Sequence, residues 1–226
     1  PAEYDKYGLK YNKDLYVLNG ELKNININYY HKPIFSVNDY WTVSKKTSIT
    51  TSVYASIGHG GGSGAIGTAP TLRDADGHLL MDATAAANAV STTGAKYGIR
   101  NSINNHKWYG VLSTLSHDFN DNLNLTFGVD ARTYKGTHFR EMRDLIGASF
   151  YKDAFNPLAK VDVNASDFIN INKITPVDNR IAYDNDGLVD YYGTFGQLEY
   201  SKEKLSSFIQ GAISETKYGR VDRYNA

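Results

Sequence analysis

Cysteine is absent from the 226-residue chain, which excludes disulfide staples and thiolate metal sites but does not identify a compartment. A surplus of charge is missing too. The 24 Lys and Arg balance 24 Asp and Glu without any basic block, so electrostatics gives no reason to propose a nucleic-acid partner. No apolar run approaches the roughly 20 residues that a membrane helix needs. The opening residues Pro1-Ala2-Glu3-Tyr4-Asp5-Lys6 are charged and tyrosine-rich, with no apolar core of a signal peptide.

Tyrosine is abundant, with 18 residues against 9 Phe and 2 Trp. Its apolar ring and wet tip suit sheets, membrane interfaces and sugar-facing surfaces, soluble β-proteins included. The spacing of turns says more. Three short turns, Ser44-Lys45-Lys46-Thr47-Ser48, Asn120-Asp121-Asn122 and Ser201-Lys202-Glu203-Lys204, alternate with two long polar stretches, 58–105 and 135–188. Loops that long are uncommon in compact soluble domains. A transmembrane β-barrel places short turns at one membrane face and long loops at the other.

Strands are expected near 25–43, 49–57, 107–119, 123–134, 189–200 and 205–218. In 123–134, Leu123, Leu125, Phe127, Val129 and Ala131 alternate with Asn124, Thr126, Gly128, Asp130 and Arg132. A period of two sends these sets to opposite faces, and a carboxylate with a guanidinium suits a water-filled lumen. Ile49, Thr51, Val53, Ala55 and Ile57 alternate likewise with Thr50, Ser52, Tyr54 and Ser56. Pro33 marks an irregular or edge-like spot in the first strand. Aromatic residues gather near strand ends as an interfacial girdle would: Tyr29, Tyr40, Trp41, Trp108, Tyr109, Tyr134, Tyr191, Tyr192, Tyr200 and Tyr218.

The expected fold is therefore all-β: antiparallel up-and-down strands of a transmembrane barrel, partial at about six strands, with long external loops. Six strands leave two edges, and lipid offers edge amides no partners. Small barrels of this kind have about eight strands or more. The expectation is a piece of a longer polypeptide, with 1–24 in an external loop and 218–226 leading into another.

Candidate motifs are few. The run 58–67 contains a G-x-G-x-x-G match at Gly62, Gly64 and Gly67, but Thr68-Ala69-Pro70-Thr71 follows where a dinucleotide site needs a helix. The run reads as a mobile loop root. Asp74-Ala75-Asp76-Gly77 and Asp184-Asn185-Asp186-Gly187 resemble the opening of a calcium loop, the second joined by Asp190. Neither has the closing bidentate glutamate, and both are good turn formers. The six histidines show no zinc spacing, and no nucleophile elbow or cysteine nucleophile supports an enzyme. Short helices are expected at 82–90, with Asp82 as N-cap, and at 140–146. Arg140 and Arg143 could there face an anionic ligand.

Several strands resemble those of TonB-dependent outer-membrane receptors: Tyr29 through Trp41, Trp108 through Leu115, Gly128 through Gly136, and Thr194-Phe195-Gly196-Gln197-Leu198-Glu199-Tyr200 before a short turn. The resemblance covers nearly the whole chain in strand style, without one diagnostic motif. It implies a plugged 22-stranded barrel in the outer membrane of a Gram-negative bacterium. It also implies energy-coupled uptake of a scarce ligand such as an iron chelate, haem, cobalamin or glycan. The plug, its coupling box and the closing strand are expected outside this stretch. Implied partners are outer-membrane lipid, the TonB complex acting through the plug, and a surface lipoprotein; no cofactor is implied. Arg132, Gln197 and Glu199 are expected to face the lumen. Tyr97, Arg100, Trp108, Tyr109, Arg132, His138, Arg140, Arg143 and Tyr183 are the ligand-contact candidates. The rival is a soluble secreted β-rich glycan-binding module with calcium at Asp184, Asp186 and Asp190. A nucleotide-binding enzyme resting on the glycine run is a remoter third.

Overall fold

The computed structural model describes residues 2–159, 162–166 and 174–224. It is all-β and antiparallel apart from small additions. In chain order the elements are α1 (Ala2–Tyr7), β1 (Leu15–Leu18), β2 (Glu21–Asn24), β3 (Asn28–His31), β4 (Ile34–Ser44), β5 (Thr47–Gly67), β6 (Leu79–Leu80) and α2 (Asp82–Ala89). They continue with β7 (Tyr97–Asn120), β8 (Leu123–Asp144), β9 (Arg180–Lys202) and β10 (Leu205–Asp222). Among the described residues no helix is long and apolar enough to cross a membrane.

The large sheet is a meander, ordered β10-β9-β8-β7-β5, with β3 and β4 both on β5. These last two are one strand interrupted at Lys32-Pro33. Tyr30 pairs Gly60 above the gap and Ile34 pairs Ser56 below it, in unchanged register. Proline cannot donate to the ladder, so it removes rungs from this edge strand without shifting the rest. The three short turns lie at one end. Ser44 and Asn120 each accept, through a side-chain oxygen, the amide proton two residues on, the local bracing typical of such turns.

The strands run much farther than alternation indicated. β5 continues through the glycine run to Gly67, β7 begins at Tyr97, β8 continues to Asp144 and β9 begins at Arg180. The expected long loops 58–105 and 135–188 therefore shrink to 68–96 and 145–179. The glycine run is strand rather than mobile loop root. Arg140-Glu141-Met142 is ladder rather than helix, because β7 pairs all three residues while β9 also pairs Arg140 and Glu141. β10 likewise carries on past 218 to Asp222. In β5, β7, β8 and β9 alternation fades in the extensions because both faces of the sheet become covered, whereas β10 stays exposed up to Val221.

The covering is a cap at the loop end. Residues 1–24 contribute more than loop: β1 and β2 form a hairpin, and β6 adds in parallel to β1. Tyr16, Leu18, Ile25, Leu79 and Met81 pack on Tyr97, Ile99 and Ile146. A second cluster joins Met142, Leu145, Val163 and Ile181. The helix expected at 82–90 is α2, but its N-cap position is Met81. Asp82 instead accepts the Asn19 amide, tying the helix to the hairpin.

Asn88 locks this cap. It is 1% exposed, its Nδ2 donates toward the carbonyls of Tyr97, Leu145 and Ile146, and its Oδ1 accepts the Lys96 amide. Removing one partner of a buried bond costs about 1–3 kcal/mol per orphaned group. Asn88→Ala is therefore expected to cost at least about 2 kcal/mol, read as faster amide exchange through β6, α2 and the start of β7. Amides near the short turns should keep their protection.

Candidate functional site

Cross-strand register decides which side chains share a face. Val37 pairs Val53, Val53 pairs Val111, Val111 pairs Ala131 and Ala131 pairs Tyr192. One face of the lower sheet therefore carries Phe35, Val37, Trp41, Ile49, Val53, Ile57, Tyr109, Val111, Leu115, Leu125, Phe127, Val129, Leu198, Ile209 and Ile213, crossed level with Val129 by the polar residues Asp39, Thr51, Ser113 and Thr194. The other carries Asn38, Thr50, Ser52, Tyr54, Trp108, Thr114, Ser116, Asn124, Thr126, Asp130, Arg132, Tyr191, Gln197, Glu199 and Gln210, with Leu112, Phe195 and Phe208 among them. The apolar face is uncovered by protein: even on central strands Val53 is 52%, Phe127 47% and Val129 45% exposed.

The ten girdle aromatics divide between faces. Trp41, Tyr109, Tyr192 and Tyr200 lie on the apolar face, whereas Tyr40, Trp108, Tyr134, Tyr191 and Tyr218 lie on the polar face; Tyr29 packs higher up beside Ile103 and Phe139. Adjacent residues of one strand cannot share a face.

On the polar face large side chains lie flat over glycines. Tyr54 covers Gly110, Phe195 covers Gly128, Tyr191 covers Gly193 and His106 covers Gly58. On the apolar face Gly196 and Gly211 have nothing nearer than 3.8 Å. Gly187, on the polar face level with Gly58, is open as well.

Four ligand-contact candidates converge on the polar face near the cap: Arg100, Arg140, Tyr183 and His138. Arg100 Nη1 donates to Ser102 Oγ at 2.9 Å, and Arg140 Nε approaches the same oxygen at 3.4 Å. The Arg140 guanidinium stands 5.1 Å from the Tyr183 ring centre, and His138 Nδ1 lies 2.7 Å from Asn104 Oδ1. Among the described residues no carboxylate pairs with Arg100 or Arg140. Burial and the neighbouring Arg140 hold the Arg100 guanidinium below its ordinary pKa, partly offset by Tyr183. Ser102 and Gly64 belong to this cluster and were missed in the sequence. Gly64 sits beneath Arg100, so a methyl group there would lie 2.9 Å from Nη2. The only sequence signal was glycine at even positions of a strand-length run.

The remaining candidates go elsewhere. Trp108 and Arg132 share the polar face lower down, but Arg132 is held bidentately by Asp130 at 2.6 and 3.1 Å and lies over Tyr191. Gln197 and Glu199 are on the polar face. Tyr109 is on the apolar face, Tyr97 is buried in the cap core, and Arg143 bonds Ser63 on the side opposite Arg100.

The calcium reading of Asp184, Asp186 and Asp190 is not supported by the geometry. That stretch is strand, and its first two carboxylates are matched by cations. Arg180 and Arg223 donate to Asp184, while Arg223, Lys135 and Thr137 reach Asp186, all within 2.6–2.8 Å. Asp190 lies four residues farther along β9, about 13 Å away. Asp74, Asp76 and His78 bring ligand atoms within 4.8 Å of one another. There Asp74 already accepts the Asp76 and His78 amides and contacts the His78 ring, so the group braces a turn.

Compared with known proteins, the chain matches no family model, no curated protein and no solved structure.

Burial raises the pKa of Asp186, but hydrogen bonds from Lys135, Thr137 and Arg223 outweigh it and hold the carboxyl below its ordinary 3.8. Stability from such a group is complete above the unfolded value and is lost as pH falls through the folded one. Asp186→Asn should therefore be less stable than the parent at neutral pH. The two should converge as pH drops below 3.8, as measured by acid-unfolding profiles of both proteins.

Proposed function

We propose that this chain forms wall strands of an outer-membrane transport barrel. Within that class its strand style favours a TonB-dependent receptor importing a scarce small ligand. The carrying observation is the single-layered lower sheet, with an uncovered apolar face opposite a polar one. Water would penalise each exposed Val, Ile and Phe, at about 25 cal/mol per Å² left unburied. Hydrocarbon reverses that penalty. The apolar stretch from Ile49 to Ile57, at about 3.3 Å per residue and a tilt near 40°, spans about 23 Å, close to the ~25 Å lipid-facing band of such barrels.

The polar face then lines the lumen, the short turns lie on the periplasmic side and the cap lies outside. Ligand is captured at the lumenal wall and cap. Its release follows plug movement powered through TonB, with a surface lipoprotein as a further partner. No covalent bond is made or broken. A soluble glycan-binding module is less well supported, because it would need a second layer over Val53, Phe127 and Val129.

The two tryptophans lie on opposite faces, Trp41 on the apolar one and Trp108 on the polar one. In vesicles of bromine-labelled phospholipid, the Trp108→Phe protein should lose most of its fluorescence to quenching. The Trp41→Phe protein should keep most of it. Equal quenching of both, or of neither, overturns the barrel reading. Val129→Lys tests the same face energetically. It should cost about 2–4 kcal/mol near the bilayer midplane, against about 0.5 kcal/mol or less for a water-exposed surface, as measured by denaturant unfolding in vesicles.

A further inference from the structure

The polar face outside the apolar band holds an unusual group of charges. Two arginines from neighbouring strands, Arg100 on β7 and Arg140 on β8, direct donors at one neutral oxygen, Ser102 Oγ. Like charges placed together cost energy, and that cost persists in a fold only if something offsets it. Other arginines of this molecule do have a carboxylate beside them: Asp130 for Arg132, Asp184 for Arg180, and Asp184 with Asp186 for Arg223. Arg100 and Arg140 have no such partner among the described residues, and both are half-buried.

The surroundings hold the pair in place. Gly64 leaves the space in which the Arg100 guanidinium lies. Between Phe139 and Arg140 the β8–β9 register shifts, from Phe139 opposite Asp184 to Arg140 opposite Ile181. Ala182, inside that irregularity, has φ +62°, a left-handed conformation costly for a residue with a Cβ. The distortion sets the Tyr183 ring against Arg140. Bulges that re-aim a side chain concentrate beside functional sites.

We propose that Arg100, Arg140, Ser102 and Tyr183 bind an oxyanion, the carboxylate or phosphate group of a small ligand. Guanidinium forks match both groups bidentately. The Ser102 hydroxyl turns its proton to the bound oxygen, and the Tyr183 hydroxyl adds a donor. His138, held by Asn104, borders the site on the next residue pair of the same face. This assignment deepens the uptake reading and rests on it for the ligand's route.

The test is calorimetric titration of the purified protein with citrate and, separately, inorganic phosphate, at low salt. Binding of either is expected, and the stronger binder tells carboxylate from phosphate. Arg100→Gln and Arg140→Gln should each weaken it at least tenfold, the loss expected for one charge-assisted hydrogen bond. Gly64→Ala keeps every charge but displaces the Arg100 head group and should weaken binding too. Without ligand, both Gln variants should be at least as stable as the parent, since each removes a repulsion. The proposal is overturned if neither anion binds, if binding ignores all three substitutions, or if the Gln variants are less stable than the parent when empty. Anion binding with Trp41 unquenched by lipid would retain the site and discard the barrel; quenching without anion binding would do the reverse.

Discussion

The unbroken antiparallel register between β7 and β8, from Arg100 opposite Met142 to Asp118 opposite Asn124, is the constraint on which the rest depends. In a strand, side chains alternate strictly, so one shift of register would exchange every residue between faces. Without such a shift, Val111 and Ala131 stay on the apolar side while Arg100 and Arg140 stay with Arg132 on the polar side. A single ladder thus links a hydrocarbon-compatible surface to a cationic pair well beyond it along the strands.

The molecule stores its conventional core away from that surface. Among the described residues, every buried apolar side chain, from Tyr16 to Ile181, belongs to the cap or to the ladder beneath it. The lower strands rely on backbone pairing, on turns closed by Ser44 and Asn120, and on rings laid over glycines. Gly110 and Gly128 are strand-breaking by propensity, yet each creates the space for an aromatic neighbour, Tyr54 or Phe195. Glycine here exchanges intrinsic strand preference for side-chain packing on the crowded face.

The lower sheet was legible in the sequence because one face of each strand is apolar and the other polar, so a period of two survives. Its three turns were legible for the same reason. The strand extensions were not. Once the cap covers both faces, as at Tyr97, Ile99, Met142 and Ile181, alternation is no longer needed, and polar residues such as Asn101 and Glu141 can be buried with partners. The glycine run misled because glycine signals flexibility locally, whereas here Asn28, Tyr30, His106 and Arg100 from adjoining strands fill the space it leaves. Arg100, Arg140, Tyr183 and His138 were each singled out in the sequence, but without their grouping. Ser102 had no distinguishing signal, and the Ala182 distortion that places Tyr183 depends on pairing between β8 and β9.

The apolar face also ends abruptly. On central strands it passes from Val111 and Ala131 through Tyr109 and Thr133 to Lys107 and Lys135, which pair directly across the ladder. Two lysines opposite each other repel; Asp186 offsets one of them at 2.8 Å. Immediately above come Thr137, Asp184, Asp186, Arg180 and Arg223 in one hydrogen-bonded group on that same face. A protein partner could match any outline, apolar or mixed. A bilayer imposes a planar boundary, with hydrocarbon, then aromatic rings, then charge, in that order along every strand. The succession Val111, Tyr109, Lys107 on β7 follows that order. So does Ala131, Thr133, Lys135 on β8, with the aromatic position taken by a threonine beside Tyr109. This sequence of environments along two adjacent strands is harder to obtain from a soluble interface than from lipid, and in the proposed barrel it would place the cap and the arginine pair beyond the lipid boundary.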